Sequence, residues 1–392
     1  MDKRLFKHAF LYALLLFLAV RIFMSLVLGL AALAIPPDKP PAPYEPSVVS
    51  DLESRGELWR VLVLPWYRWD TVHYLNIATE GYEGDLKRTV WPPLYPTLID
   101  LLDNIIQPPM LAGLLVANIA AIGALLMLYL LVTDVWGEKR ARSVLVWMVI
   151  FPTGFFLLAG YTESLFLLFA AASLLMMRRR RWWLAGILGV LATLTRLPGV
   201  FLAAPMLWEA WQAYRGQEGP QRLRNLASAG AAAALMPLAM GIFSLWVRFG
   251  LGAAWPWDGL EQGWHLRFAM PWEGIFGTLQ RMALEPVGLR AMSKFFDVLL
   301  ALWALLLLAI GLRRLPFQYT LYALALLVPS LTKILDNNTL MSLSRYVLPI
   351  FPLFVLHDRV LISRGTRILV AAVFLTGQVL LAFMFYRWMW VA

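Results

Sequence analysis

The sequence predicts an all-α polytopic membrane protein, a bundle of about eleven transmembrane helices. Three observations predict it. Of 392 residues, 60% are apolar and only 15% are Asp, Glu, Lys or Arg. A soluble domain carries about 25% charged residues. Mean hydropathy is +0.68, and the apolar residues fall in long runs separated by short basic segments. This pattern excludes an ordinary soluble enzyme and a disordered chain. An outer-membrane barrel is excluded too, because its strands alternate polar with apolar residues. Helices remain because lipid offers backbone N–H and C=O groups no water to bond to. The chain has no cysteine, so disulfides, thiolate metal sites and thiol nucleophiles are out. The net charge of +10 reads as Lys and Arg anchoring inner loops, so no nucleic-acid partner is expected.

Residues 1–7 (MDKRLFK) are basic, and the apolar run 9–35 reads as an uncleaved first span. Arg21 inside it is expected to face protein or a water-filled pocket. Residues 36–92 form a first outer loop. It opens on PPDKPPAPYEP, which no helix holds, and carries nine acidic and six basic residues. A loop of that length points to function, and it is expected to carry interfacial helices. Residues 93–107 read as a helix at the membrane surface. Further spans are expected at 109–134, 143–160, 162–177, 182–195, 197–213, 225–249, 291–312, 315–335, 345–357 and 368–390. A second long outer loop covers 250–290, and the whole of 1–392 reads as one integral-membrane domain.

With the N-terminus inside, the inner segments 1–7, 135–142, 178–181, 214–224, 313–314 and 358–367 hold 18 Lys and Arg, including the run Arg178-Arg179-Arg180-Arg181. The short outer turns hold Arg196 alone. This fits the positive-inside rule at every crossing. The expected location is the cell membrane, multi-pass, with a cytoplasmic N-terminus.

The informative stretches then all fall outside. They are Trp69-Asp70-Thr71-Val72-His73-Tyr74, the Pro-Leu-Tyr-Pro element containing Tyr95, Tyr161-Thr162-Glu163-Ser164, the turn at Arg196, and Lys333 to Tyr346. Asp70 opens a short helical pattern whose i,i+3 spacing brings His73 alongside. A carboxylate beside a histidine at the membrane edge suits a general base; the competing role is a helix N-cap. Glu163 reads either as a polar contact in the same cavity or as another cap. Arg196 and Arg345 suit a phosphate as bidentate forks, or else snorkel to headgroups; Lys333 is a weaker candidate of the same kind. Trp255, Trp257, Trp264 and Trp272 in the second outer loop are candidates to stack on a sugar or a lipid. P-loop, GxGxxG, HExxH and GxSxG motifs are all missing, which disfavours nucleotide-driven work, zinc hydrolysis and elbow-serine hydrolysis.

The order of these elements is similar to a known family. Trp69-Asp70 leading into HYLNIATEGY, the Pro-Leu-Tyr-Pro at 93–96, FPTGFFLLAGYTESLFLL at 151–168, a Thr-Arg turn and SRYVLPIFPLF at 344–354 together resemble the PIG-V family. That family contains the second mannosyltransferase of GPI-anchor assembly and has bacterial relatives. More broadly the chain resembles the GT-C class of membrane glycosyltransferases. It departs from the family in the turn Thr195-Arg196-Leu197-Pro198-Gly199, where relatives more often carry Arg-Ser/Asn-Gly, and at Gly160, where a proline is usual. The resemblance implies a GT-C-like fold with its active site between the first outer loop and the bundle. It implies a polyprenyl-phosphate sugar donor and Asp70 as catalytic base with Trp69 beside it.

The expectation is an inverting hexosyl transfer, with mannose as the sugar, at the outer face. Asp70 takes the acceptor proton, while Arg345, Arg196 and Lys333 receive the lipid phosphate with help from Tyr346 and His73. Tyr74, Tyr95, Tyr161 and Glu163 line the substrate site. The partners are the lipid-phosphate donor, a glycan, glycolipid or protein acceptor, and membrane lipids. No cofactor is expected; a divalent metal would require Asp70, Glu163 and His73 to converge. The rival readings are a transporter or lipid flippase, which would show broken helices at mid-membrane and an internal repeat, and a membrane scaffold. An enzyme predicts an enclosed outer cavity containing Asp70.

Overall fold

The computed structural model describes residues 3–35, 38, 46–216, 218–284, 288–335 and 338–391. The proline cluster at 36–46 therefore lies largely outside the described residues. Helix α1 (Lys3–Ala34) is the first span; Phe17, Met24 and Leu28 face inward, and Leu15, Ile22, Leu26 and Leu30 face outward. An apolar outward face suits lipid. Arg21 turns inward as expected: its guanidinium donates to the Leu158 carbonyl (3.2 Å) and lies 4.8 Å from the centre of the Trp66 ring.

The segment expected as the first outer loop is helical in short pieces: α2 (Pro46–Ser54), α3 (Glu57–Leu62), a 3-10 turn over Leu64–Trp66 and α4 (Asp70–Glu80). Helix α5 (Leu94–Asp103) starts at the Pro-Leu-Tyr-Pro element. Next come α6 (Pro109–Trp136), α7 (Glu138–Val149), α8 (Glu163–Arg178), α9 (Trp182–Thr195), α10 (Ala203–Arg215) and α11 (Gln221–Leu245). The second outer loop holds α12 (Pro256–Asp258) and α13 (Pro271–Leu284). The chain ends with α14 (Leu289–Gly311), α15 (Phe317–Leu331), α16 (Leu343–Tyr346), α17 (Phe351–Val360) and α18 (Arg364–Tyr386).

The all-α polytopic class is borne out. Among the described residues five helical stretches are long and apolar enough to cross a membrane: Lys3–Ala34, Pro109–Trp136, Gln221–Gly250, Ala291–Gly311 and Arg364–Tyr386. The other expected spans are helical but shorter or broken. The span expected at 143–160 stops at Val149, and a turn with a 3-10 segment at Gly154–Leu157 completes it. The stretch 345–357 divides into α16 and α17 at Pro349, where the ring removes an N–H donor. The stretch 197–213 begins as 3-10 helix over Leu197–Leu202. At 16 and 14 residues, α8 and α9 reach only about 24 and 21 Å, short of a hydrocarbon core of about 30 Å.

A small antiparallel sheet was not expected. Strand β1 (Arg267–Phe268) pairs with β2 (Lys333–Leu335), and β2 pairs with β3 (Asn338–Thr339). Phe268 stands opposite Lys333. The residues 333–335 assigned to the end of a span thus leave the helix and stitch the second outer loop to the segment before α16.

Helix packing in a bilayer depends on close fit, because lipid tails are as apolar as side chains. Helix α6 packs on α8 so closely that a Cβ at Gly123 would stand 3.0 Å from Leu168 Cδ1. Gly186 of α9 lies so close to α11 that a Cβ there would stand 2.8 Å from the Ala232 carbonyl oxygen. One continuous apolar core runs through these helices, and a smaller cluster under the first loop joins Ile77 and Tyr82 to Phe243 and Val247.

Candidate active site

The loop around Trp69-Asp70 is held by buried groups. Arg68 is fully buried; its Nε donates to the Tyr386 carbonyl (2.9 Å) and its Nη1 to the carbonyls of Leu64 (2.9 Å) and Tyr67 (2.7 Å). The Trp69 indole donates to the Met389 carbonyl (3.3 Å) and packs edge-on against Trp388 and Trp390, with ring centres 5.8 and 4.9 Å away. Trp69 has φ 50° and ψ −116°, a conformation that costs about 1–3 kcal/mol in a non-glycine residue and persists only where surroundings over-determine it. The chain end after α18 supplies that clamp. Its effect is to start α4 abruptly, with Asp70 as the first helical residue.

Asp70 does not cap that helix. The N-cap position is Trp69, and it makes no side-chain cap bond. The carboxylate turns inward instead, and Oδ2 accepts from Arg345 Nη1 at 2.6 Å. The Asp70 backbone N–H donates to the Tyr161 hydroxyl (3.3 Å), which donates to the Arg68 carbonyl (3.3 Å).

Glu163 follows the same logic. It is the first residue of α8, behind an N-cap at Thr162 that makes no side-chain cap bond. Its Oε1 lies 3.3 Å from Arg345 Nε and also pairs with Arg196. Arg345 therefore bridges Asp70 and Glu163, and Glu163 bridges Arg345 and Arg196. The network is packed shut: Asp70 is 3% exposed, Glu163 1% and Arg345 2%. Almost no surface is left on Asp70 itself, which was expected to lie in an enclosed outer cavity. Arg345 cannot snorkel to headgroups, because burial holds it inside between two carboxylates.

Aromatic rings wall this network. The Arg345 guanidinium lies 5.2 Å from the ring centres of both Tyr161 and Tyr346 and 5.5 Å from that of Phe156. Arg196 lies 5.1 Å from the Tyr346 ring and Lys333 Nζ only 3.7 Å. Burial pushes the Tyr346 hydroxyl up, but Lys333, Arg345 and Arg196 outweigh it and bring it down to about 7. Burial lowers the Lys333 ammonium, against the pull of Tyr346. For Arg345 and Arg196, burial opposes the charge, yet their carboxylates hold both more firmly protonated than usual.

The remaining predicted residues form a second layer. The Tyr74 hydroxyl bonds with Thr162 Oγ1 (3.0 Å), to which Arg196 donates at 3.4 Å. Tyr95 packs edge-on to Tyr74 at 5.0 Å and donates to the Gly113 carbonyl. His73 stacks on Trp91 at 5.8 Å and stands edge-on to Trp264 at 5.6 Å. Burial lowers its pKa despite the nearby Asp70 charge. Among the described residues no group of three His, Asp or Glu side chains could hold a metal ion, so Asp70, Glu163 and His73 do not converge as a metal site would require. Of the second-loop tryptophans, Trp264 joins this layer, Trp255 stacks on Trp257, and Trp257 and Trp272 are exposed.

Two participants were missed from sequence. Thr162 lies inside the quoted Tyr-Thr-Glu-Ser element. Asp297 is a lone carboxylate in an apolar span, the same signal that singled out Arg21. Its Oδ1 accepts from the Ser344 N–H (3.0 Å), while Thr153 donates to the Ser344 carbonyl (2.8 Å), so the residue before Arg345 is fixed on both sides. The turn at Arg196 is fixed by Gly199, where a Cβ would stand 2.3 Å from the Thr193 nitrogen.

Comparison with known proteins adds to this geometry. GPI mannosyltransferase 2 of Schizosaccharomyces pombe is 29% identical over 153 residues, covering 38% of this chain and 32% of that protein. The match thus spans about a third of the curated relative. It bears out the resemblance read from the motifs. The crystal structure of the Archaeoglobus fulgidus oligosaccharyltransferase with zinc and sulfate aligns over 95% of this chain and 53% of that one, at 15% identity and a TM-score of 0.44, a likeness that carries no argument. No family model matches.

Proposed function

We propose that the chain is a membrane glycosyltransferase of the GT-C type that moves a hexose, mannose by analogy with its curated relative, from a polyprenyl-phosphate donor to an acceptor hydroxyl at the outer face of the cell membrane. The observation that carries this reading is the buried Asp70–Arg345–Glu163–Arg196 network, assembled from four separate stretches under the strained Trp69 turn. Buried ion networks contribute little to stability once desolvation is counted, so a network gathered from four distant stretches favours chemistry.

The same network suggests how the reaction is ordered. Before donor binds, the Asp70 carboxylate is occupied by Arg345. An arriving lipid phosphate competes for Arg345, Arg196 and Lys333, which match phosphate better than a single carboxylate does. Release of Arg345 frees the Asp70 carboxylate for an acceptor hydroxyl. The hydroxyl oxygen attacks the sugar C1 from the face opposite the phosphate, the C1–O bond to phosphate breaks with its electron pair, and the hydroxyl proton passes to Asp70. The product is inverted, and the leaving lipid phosphate stays paired with the cations. The acceptor class is a glycan, glycolipid or protein hydroxyl.

The test is turnover in nanodiscs. Wild type and Asp70→Asn are incubated with radiolabelled polyprenyl-phosphate mannose and total membrane lipid extract. Transfer of label by wild type and not by the variant supports the reading; equal transfer by both overturns Asp70 as base. Donor left intact by both moves the test to glucose and arabinose donors.

A further inference from the structure

A cleft of about 700 Å³ opens at the far end of the bundle from Asp70, between α1, α7 and α18. Its rim carries Lys139, Arg142, Arg364 and Arg367 against one carboxylate, Glu138. Glu138 is already engaged: it accepts from the Tyr129 hydroxyl (2.7 Å) and Arg142 (2.5 Å). Arg367 is tied down by Asp358 (2.8 Å) and the Leu361 carbonyl (2.9 Å). Lys139 and Arg364 are exposed on the rim. Below the rim the lining turns apolar, through Val146 of α7, Ile150 just past its end, and Ile368 and Ala371 of α18. From Lys139 to Ile150 the helix runs about 16 Å, enough for the headgroup and first half of an acyl chain.

A second cleft at the same end gives the contrast. It holds about 430 Å³ and is rimmed by Arg178, Arg179 and Arg180, but Asp134 and Glu209 share its lining and only Ala213 is apolar. General anchoring of basic loops accounts for that one. It does not account for a cationic rim placed over an apolar groove that faces the bilayer.

We infer that the α1–α7–α18 cleft is a binding site for an anionic phospholipid of the inner leaflet, with the phosphate on Lys139, Arg142 and Arg364 and an acyl chain along Val146, Ile150, Ile368 and Ala371. The charge excess selects an anion, and the apolar floor selects a lipid over free phosphate. Cations at a membrane surface attract anionic lipid individually; the groove adds shape to that attraction. This site is independent of the transfer reaction.

Native mass spectrometry of the full chain, offered phosphatidylglycerol or phosphatidylcholine, tests it. Wild type is expected to retain phosphatidylglycerol at activation energies that strip phosphatidylcholine. Lys139→Glu with Arg364→Glu should weaken retention about tenfold, while Arg179→Glu with Arg180→Glu, the same charge change at the polar cleft, should leave it within about twofold. Ala371→Trp fills the groove without changing charge and should also release the lipid, so it decides the matter if the double reversal does not fold. Equal retention of both lipids, equal loss in both double variants, full retention by folded Ala371→Trp, or displacement by glycerol phosphate at the same concentration would each overturn the site.

Discussion

At the end of the bundle that carries Glu163, one arginine is buried between two carboxylates and three aromatic rings. At the end that carries Arg178, about 22 Å along the same helix, the charges sit at the surface. Arg178–Asp134 and Arg142–Glu138 have both partners more than a third exposed, the class of pair that is worth about 0–1 kcal/mol. One pairing at that end is more protected: Asp358 is 5% exposed and is held by Arg140, Arg367 and Ser143. The two ends teach different things about charge in a membrane protein. Surface cations at the Arg178 end need no partner, because water and headgroups solvate them. The charges at the Glu163 end lack that recourse. They persist only as a closed network, and a network that a well-packed apolar core would replace at no loss of stability is best explained by work done on a substrate.

The predictions test that contrast. The largest effect is expected for Asp70→Asn, which should lower turnover about 10²- to 10⁴-fold with a thermal midpoint close to wild type, because Glu163 still neutralises Arg345. Near-normal turnover would remove the functional reading of the outer network. Next is Arg345→Lys. An ammonium cannot span two carboxylates as a guanidinium fork does, and turnover should fall about 10- to 100-fold, read as a higher apparent KM for the lipid-phosphate donor. Unchanged kinetics would mean that Arg345 serves only packing.

Asp358→Asn is the control at the other end. It should cost about 1–3 kcal/mol of stability, as a buried site left with two partly unanswered cations, with turnover per folded molecule unchanged. Lost turnover at full stability would show the two ends to be coupled. The smallest effect is a pH dependence. With Tyr346 near 7 and an unfolded tyrosine near 10, the folded molecule holds fewer protons across that window. Stability should therefore rise from pH 7 towards 10 relative to Tyr346→Phe, and that share should be lost as pH falls through 7. Over the same window the phenolate competes with donor phosphate for Lys333 and Arg345, so donor KM should rise with pH in wild type and stay flat in Tyr346→Phe.

Much of this protein follows from the sequence read as windows. Apolar length sets the spans, because the cost of exposing polar backbone to lipid is a local property of each segment. The basic segments foretell which ends gather together: Arg140 and Arg367 do meet at Asp358, and Asp70, Glu163, Arg196, Lys333, Arg345 and Tyr346 do share one end. What a window does not hold is pairing. Asp70 and Arg345 are 275 residues apart, and nothing local distinguishes a carboxylate that caps its own helix from one that turns to meet a distant arginine. Local pattern left the cap open for Asp70 and Glu163, and the tertiary structure decided against it, since a buried arginine with no carboxylate beside it would carry a desolvation cost far above the value of a cap. The break of 143–160 at Val149, the departure of Lys333 from its helix into a strand beside Phe268, and the stacking of His73 on Trp91 and Trp264 were likewise settled by packing. Hydropathy fixes which segments are apolar enough to lie in a membrane; which side chains answer one another is fixed only when the helices close around them.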